Sequence, residues 1–443
     1  MTDAEPADTT TLPLLPPSFC AFLRDNHIDA EVYNTSRQLP RYVRIIRHRQ
    51  RSKHYIDELV QQIQAEAGCK VSEVSSVPGF IEITDQALRL SQISAYKNGD
   101  IVGMDVSSGI AALALSVEPG DNVLDLCCAP GAKLLLLADL LENHRSHDGV
   151  VLRGTVTGVD ISPHRAATCR SLIKKHAGND KGFIRVFVDD GTTFDARAPQ
   201  HGWHDPQIIQ AANSPSDSSL PKVKRQKRAI SGQPWFAPRL LSTEYACSGT
   251  QLYDRVLVDA ECTHDGSLVH VQKYAQWGWE QLDTQVVDGN KSVTVPILQS
   301  KLLENGWRLL KPGGVLVYST CSLSRYQNEF VLGGFLARHP QDEAVLEPIP
   351  LLADRCATPD GGSIVTSPIW TPVDDDEWER AGLGQRRSVF SRMQHAVRLN
   401  PLVSNTSGMF IARIKKLQHG AQLDESEIVP LASPTQQCKI QPV

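Results

Sequence analysis

Short apolar runs alternate with longer stretches of helical spacing over most of the chain. "NVLDLCCA" is a buried strand closed by Pro130-Gly131, and "GTVTGVD", "FIRVFVDD", "DRVLVDA" and "VLVYST" repeat that pattern. Between them lie three helical patterns, "KLLLLADLLENH", "SPHRAATCRSLIKKH" and "PILQSKLLENGWRLL". The second opens on Ser-Pro. The third puts Leu298, Leu302 and Leu309 on one face and ends at Lys-Pro-Gly-Gly. "GMFIARI" is a final strand. Strands that alternate with helices predict an α/β fold with a mostly parallel sheet covered on both faces. A smaller unit precedes it, from Phe19 to about Gly99. It holds a helix-like "FCAFLRDNH", then "LPRYVRIIRHRQRSKH", then "IDELVQQIQAEAG" with Ile56, Leu59, Val60 and Ile63 at helical spacing.

The chain's 443 residues suffice for one large domain with appendages, or for two or three domains. The expected division is a mobile tail over 1–17, a module over 18–99, a main domain over 100–418 and a second tail over 419–443. Two stretches break the strand–helix pattern. One spans about 197–250 and contains "NSPSDSSLPKVKRQKRAISGQP"; the other spans about 352–395 and contains "DDDEWERAG". Both read as flexible or surface insertions. Lys222, Lys224, Arg225, Lys227 and Arg228 in the first fit a nuclear-localisation or RNA-contacting patch as well as a solvated loop.

Apolar content of 41% and charged content of 21% fit a soluble globular protein, with no apolar stretch near bilayer-spanning length. The acidic start has neither the apolar core of a secretory signal nor the arginines of a mitochondrial presequence. The ten cysteines form no Cys-x-x-Cys pair, and there is no His-Glu-x-x-His helix. Reduced thiols in a cell interior, nucleus or cytoplasm, are therefore expected, without a disulfide framework or a metal. A net charge of −5 means that any positive surface for nucleic acid must be local.

The predicted strands end on acids. Asp125 precedes Ala-Pro-Gly-Ala, Asp160 ends "VTGVD", and Asp189-Asp190-Gly191 ends the next strand. In open α/β sheets ligands bind at the carboxyl ends of strands. A carboxylate at Asp160 suits the two hydroxyls of a ribose, and one at Asp190 suits an adenine amino group. Each alone is as easily a loop or capping residue; the three together point to S-adenosylmethionine. Cys127 and Cys128 read as small buried residues, and His144 and His147 as surface residues at a helix end. A fourth strand ends on Asp259 with Cys262 just past it, and "YSTC" ends on Cys321. Two thiols at strand ends beside a methyl-donor site suit one chemistry. Carbon-5 of cytosine is a poor nucleophile until a thiolate adds at carbon-6, so its methylation needs an activated cysteine. Asp259 would hold the amino group and ring nitrogen of the base.

These segments carry a resemblance. "DLCCAPGAK", "GVDIS", "VDDGT", "VLVDAECTHDGS", "LQSKLLENGWRLLKPGGVLVYSTCSLSRYQNE" and "GMFIARI" resemble the Sun-domain, RsmB-like family of RNA (cytosine-5) methyltransferases, over most of Phe19 to Lys416. The resemblance implies a Rossmann-like, S-adenosylmethionine-dependent sheet with helices on both faces. "LPRYVRIIRHR" resembles the family's small N-terminal RNA-contacting module, here expected to be α+β. It implies Cys321 as nucleophile, Cys262 as the thiol that helps release product, and Asp259 in the base site. The candidate cofactor-binding set is Cys128, Ala129, Pro130, Gly131, Ala132, Lys133, Leu134, Asp160, Arg165, Asp190 and Asp259. The implied partner is RNA, tRNA ahead of rRNA, bound by a monomer with no membrane contact.

The chain departs from the family pattern in places. Glu261 replaces a proline before Cys262, and Thr-His-Asp follows where the family has Ser-Gly. Ala132 replaces a glycine, which would crowd the donor if that position needs positive φ, and Leu134 replaces a threonine. His264 reads as a base near the ring or as a solvated loop residue. Arg37, Arg41, Arg44, Arg47, Arg49, Arg51 and Lys53, with Tyr42 and Tyr55 interleaved, form the expected RNA-contacting segment. A target base must leave its stack to reach the thiol. The altered loop also fits an RNA-binding protein that has lost turnover. A DNA cytosine methyltransferase, with its nucleophile at Cys262, fits worse, because that loop lacks the Pro-Cys pair.

Overall fold

The computed structural model describes residues 15–33, 39–47, 51–141, 144–145, 151–152, 154–176, 183–199, 235–237, 251–279, 282, 286–287, 289–353, 389 and 391–418. Most of both expected tails and both insertions, with the five basic residues of the first, lie outside them, as do Arg37, Arg49 and His147.

The first sheet has four antiparallel strands: β1 (Arg41–Ile45), β2 (Val71–Glu73), β3 (Phe80–Ile83) and β4 (Ile101–Gly103), in the order β2-β3-β1-β4. Its last strand lies past residue 99, where the second unit was expected to begin. A preceding helix, α1 (Pro17–Asp25), does not pack on this sheet. Its Phe19 and Leu23 cluster instead with Leu268, Val271 and Leu323 of the larger domain. Helix α2 (Lys53–Ala67) buries Ile56, Leu59 and Ile63 against the sheet. The Ser52 hydroxyl accepts from Tyr55 N at its start, and Gly68 closes it at φ +67°, a region open to glycine. Two short helices, α3 (Ser94–Asn98) and α4 (Val106–Leu113), flank β4.

The second sheet is built on β5 (Asn122–Asp125). After helix α5 (Ala132–Leu140) and a small hairpin, β6 (His144–Arg145) and β7 (Val151–Leu152), come β8 (Thr155–Asp160), helix α6 (Pro163–His176), β9 (Phe183–Val188), β10 (Trp235–Ala237) and β11 (Tyr253–Asp259). Helices α7 (Leu268–Trp277) and α8 (Gly289–Leu309) lead into β12 (Leu310–Thr320), and α9 (Glu329–Arg338) follows it. Then come β13 (Ala344–Leu346), β14 (Val397–Leu399) and β15 (Met409–Lys416). The order is β10-β9-β8-β5-β11-β12-β15-β13, with β14 also on β15. Strands β9, β8, β5, β11 and β12 run parallel; β10, β13, β14 and β15 pair antiparallel.

Alternate side chains explain the layers. Val123, Leu257, Val315 and Val317 face α4, α5 and α6 through Ile110, Leu134, Leu137 and Ile173. Leu124, Val256, Val258 and Leu316 face α8 and α9 through Leu302, Leu303, Trp307 and Phe335. The chain leaves β5 for β8 on one side and later returns to β11 on the other. The crevice above β5 and β11 is therefore the switch point of the sheet, where a ligand binds without displacing a crossover.

Three local expectations shift. Helix α8 starts at Gly289 and carries Pro296 in its interior, because proline there forfeits one donor and need not end the helix. It ends at Leu309, and Lys311-Pro-Gly-Gly belongs to the leading end of β12. Gly313 sits at φ +78°, where the register against β11 jumps from Tyr253↔Leu310 to Arg255↔Val315. Helix α5 stops at Leu140, and His144 lies in β6 rather than at a helix end. No helix among the described residues is long and apolar enough to cross a membrane.

Candidate active site

The ends of β5 and β11 open on a cavity of about 230 Å³, lined by Met104, Asp105, Ser108, Asp125, the turn 127–133 and Asp259. Gly131, at φ +109°, turns the chain into α5, and a Cβ there would lie 2.8 Å from Cys169 Sγ. The strained position is thus Gly131. Ala132 is the first helical residue, and its φ is not positive, so its methyl group meets no backbone penalty. Asp125 is buried, and its Oδ2 has no hydrogen-bond partner among the described residues. Burial, with the charge of Asp259, pushes its pKa up to about 8. Lys133 Nζ lies 2.7 Å from Asp259 Oδ2 and 3.3 Å from Ser108 Oγ. Burial acts to lower its pKa, but the charge and hydrogen bond of Asp259 outweigh it and leave the ammonium form favoured. Asp160 accepts from Ser162 N (2.9 Å) and Ala129 N (3.3 Å), and Arg165 donates to Ala129 O at 3.0 Å. Asp160 and Arg165 therefore brace the cavity turn from behind.

Cys262 and Cys321 follow neighbouring strands, and their Sγ atoms are 3.3 Å apart. Asp259 and Ser319 are register partners, and the Ser319 hydroxyl donates to Asp259 at 2.7 Å. Strand β12, which leads into Cys321, and the cavity thus share one carboxylate. His264 Nδ1 lies 2.9 Å from Cys321 Sγ and 3.7 Å from Cys262 Sγ. The hydrogen bond from Cys262 and the imidazole of His264 bring the Cys321 thiol down to about 6, against the effect of burial. Cys262 moves the other way, raised by its bond to Cys321 and by burial.

Polar residues around the thiols lock the two loops together. Asp265, fully buried, accepts from Thr263 Oγ1, from Ser322 Oγ (2.7 Å) and from Leu323 N (2.7 Å). Gln327 accepts from Thr263 N at 3.1 Å and donates back to Thr263 Oγ1 at 2.8 Å. Asn328 accepts from Thr320 Oγ1 at 2.6 Å and donates to Ser322 O at 2.8 Å. Gly266 N donates to Cys321 O (2.9 Å); a Cβ on Gly266 would fall 2.7 Å from that oxygen. Glu261 is exposed, and its carbonyl is held by Gln299 at 2.8 Å. A backbone clamp therefore acts where the family's proline would restrict φ.

Several candidate residues fall elsewhere. Leu134 points away from the cavity and packs over Gly158 in the core, as an apolar residue on the buried side of α5 should. Asp190 caps its own turn, accepting from Thr192 N and Oγ1 at 2.8 Å each, and does not line the cavity. In the basic segment, Arg44 is wholly buried and pairs with Asp139 of α5 at 2.5 Å. A buried guanidinium needs such a carboxylate, so Arg44 ties the small sheet to the large domain instead of meeting RNA. Tyr42 is also buried, its hydroxyl donating to Asn405 O at 2.8 Å, and cannot stack on a base. Arg51 lies over the Tyr55 ring and 3.7 Å from Asp100, and Lys53 pairs with Asp57 and Glu73. Of the cavity's acids, Asp105 was not singled out in the sequence, and Asp125, read there as a strand-end acid, was not carried into the candidate set. A larger cleft of about 1080 Å³ lies between α1, α8 and α9, behind the thiol loops, and shares none of the cavity's acids.

The fold and this cluster of acids and thiols define a class: an open α/β sheet with an acid-lined cavity and a thiol pair at its switch point. A family model described as 16S rRNA methyltransferase RsmB/F matches residues 239–415. The chain is 30% identical to 5-cytosine rRNA methyltransferase NSUN4 of Bos taurus, over 52% of this chain and 43% of that protein. It is 25% identical to multisite-specific tRNA:(cytosine-C(5))-methyltransferase trm4b of Schizosaccharomyces pombe, over 73% of this chain and 43% of that one. Ribosomal RNA small subunit methyltransferase B of Xanthomonas campestris pv. campestris is 26% identical over 71% and 55%. The chain thus spans about half the length of these relatives. Among solved structures, a methyltransferase homologue from Pyrococcus horikoshii superposes with a TM-score of 0.53 at 20% identity, covering 91% of this chain and all of that one. NSun6 from Pyrococcus horikoshii, solved with SFG, gives a TM-score of 0.55 at 14% identity over 92% of this chain. Over residues 239–415, the part that carries β11, β12, β15 and both thiols, the chain thus matches the RsmB/F family model.

Proposed function

We propose that this protein methylates carbon-5 of a cytosine in RNA through a covalent bond between Cys321 and the base. The observation that carries the reading is the Cys262–Cys321 contact of 3.3 Å, set beside a strand-end acid cavity at the switch point. The cavity suits S-adenosylmethionine on its own chemistry. The unpartnered Oδ2 of Asp125 can meet a polar group of the ligand, and Asp160, outside the cavity lining, holds the turn through Ala129 N. The turn 128–133 and Lys133 would lie against the rest of it. When bound, S-adenosylmethionine supplies an electrophilic methyl group.

The chain's own residues do the remaining work. Cys321 as thiolate adds to carbon-6, which makes carbon-5 the nucleophile. Asp259, held by Lys133 and Ser319, accepts from the amino group of the base and keeps the ring in plane. Once carbon-5 carries the methyl group, water takes its proton as the Cys321–carbon bond breaks and gives back the thiolate. Cys262, kept as a thiol, has a proton available for that release. Of the RNAs, tRNA is the substrate expected from the sequence, and the rRNA enzymes among the relatives support rRNA as the second reading. Labelled S-adenosylmethionine, offered with total tRNA and with rRNA, tests both. 5-Methylcytidine in either RNA, abolished by Cys321→Ala, supports the proposal. Bound S-adenosylmethionine with no labelled RNA points instead to a binding protein without turnover.

A further inference from the structure

We propose that His264 is a catalytic residue: its imidazole takes the Cys321 thiol proton and holds the nucleophile as a thiolate–imidazolium pair. The inference rests on the methyltransferase reading for its purpose, though the pair itself is a property of the free protein.

Geometry carries it. Nδ1 of His264 lies 2.9 Å from Cys321 Sγ, across a gap of 57 residues in sequence. The backbone of His264 is at φ +58°, a region that residues with a Cβ seldom occupy and that clusters at functional sites. That conformation is held from both sides. Thr263 and Asp265 are pinned by Gln327, Ser322 and Leu323, and Ser267 N donates to His264 O at 3.0 Å. The ring stacks on His270 at 5.5 Å, and His270 Nδ1 is held by Ser267 Oγ at 2.9 Å. A loop histidine left to solvent would need none of this support.

The charges around the pair favour the proton on nitrogen. Asp265 and Glu261 add to the effect of Cys321 in raising His264. Lys133 faces the thiolate from α5, while Asp259 opposes it from β11. His264 and His270 both keep an exposed edge, and the partial burial of His270, with the charges of His264 and Lys273, lowers its pKa and disfavours a second charge beside the imidazolium. A metal held by Cys262, His264 and Cys321 is a poorer account of the same atoms. Tetrahedral zinc, with bonds of about 2.3 Å to sulfur and about 2.0 Å to nitrogen, sets those ligands about 3.5 Å apart. The observed 2.9 Å is a hydrogen bond.

The step balances without a co-reactant. The Cys321 S–H bond breaks and an N–H bond forms on Nδ1. The thiolate then adds to carbon-6 of the cytosine. When it leaves at the end of the cycle, the proton returns from Nδ1 or exchanges with water.

The test is the rate at which iodoacetamide alkylates Cys321 in the full chain, read by mass spectrometry of its peptide from pH 4.5 to 9. His264→Gly suits the positive φ, so the loop keeps its backbone. His264→Gln keeps a side chain without a titrating proton and serves as the second variant. Wild type should show an inflection near pH 6. Both variants should move it towards an ordinary thiol and slow alkylation about tenfold at pH 7. Methyl transfer should fall by a similar factor, in kcat rather than in KM. An inflection left in place by both substitutions overturns the proposal. A wild-type protein that transfers no methyl group would sink the proposed function, yet the alkylation profile would still decide the role of His264.

Discussion

Two pairs of cysteines stand at strand ends of one sheet; in one pair both thiols are raised, and in the other Cys262 is raised while Cys321 is lowered. Cys127 and Cys128 follow β5. Cys127 is raised by burial and then by the charges of Asp125, Asp259 and Asp160. Cys128 is raised by its hydrogen bond to Cys169, by burial and by the charges of Asp125 and Asp160. Cys321 follows β12 and is half-buried like Cys127, but Cys262 donates to its sulfur and His264 faces it. Thiol reactivity here is therefore decided by what points at the sulfur. Carboxylates make a thiolate costly, and a second thiol with an imidazole makes it affordable at neutral pH.

The comparison can be broken in several ways. The largest effect is expected from Cys321→Ala, which should cut methyl transfer into RNA by about 10⁴-fold or more, as loss of a covalent nucleophile does elsewhere. Next is Cys262→Ala. Turnover should fall by about 10²-fold, the usual worth of a positioned acid or base. A Cys321-linked RNA adduct should then persist on a denaturing gel. An RNA adduct that needs Cys262 and survives Cys321→Ala would reverse the assignment and revive the DNA-enzyme arrangement. A smaller effect comes from pH. The reactive form is the thiolate, and the Cys321 pKa of about 6 means that it is lost as pH falls through that value. Single-turnover transfer should therefore be roughly tenfold slower at pH 5 than at pH 7. Over the same range Cys127 and Cys128 should resist alkylation in the folded protein, and labelling of either at pH 7 would show that the acids around them do not suppress the thiolate. The smallest effect is expected from Cys127→Ala, with transfer within about twofold of wild type and stability changed by less than about 1 kcal/mol.

Much of this arrangement was legible in the sequence because it depends on local signals. Apolar runs end where Asp125, Asp160, Asp259 and Cys321 begin, and a chain reader sees the change of character at once. Contacts made only by folding were not legible. Arg44 and Tyr42 look like a nucleic-acid surface until Asp139 and Asn405, about a hundred and several hundred residues away, come to meet them. Asp190 matched a strand-end acid in type and spacing, but its own turn claims its Oδ1. His264 sits among loop residues of no helical or strand period, so nothing along the chain distinguishes a solvated ring from one touching Cys321. Pro296 misled for the opposite reason. The local rule against proline in a helix is real, but the packing of Leu302, Leu303 and Trp307 against the sheet outweighs one missing donor.

Strand β12, which leads into Cys321, is gripped on its far side by β15, which pairs with it from Val315↔Lys415 to Thr320↔Phe410. In a chain made from its N-terminus, that grip arrives late. At about 5–20 residues per second, roughly 5–20 s pass between the synthesis of Thr320 and that of Lys416. Until then β5, β8, β9 and β11 can assemble, while β12 has one open edge and Gly408 is not yet present to hold Gly266. The acid-lined cavity can thus exist on the ribosome before the Cys262–Cys321 pair is finished, and a nascent chain is spared an activated thiol until β15 docks.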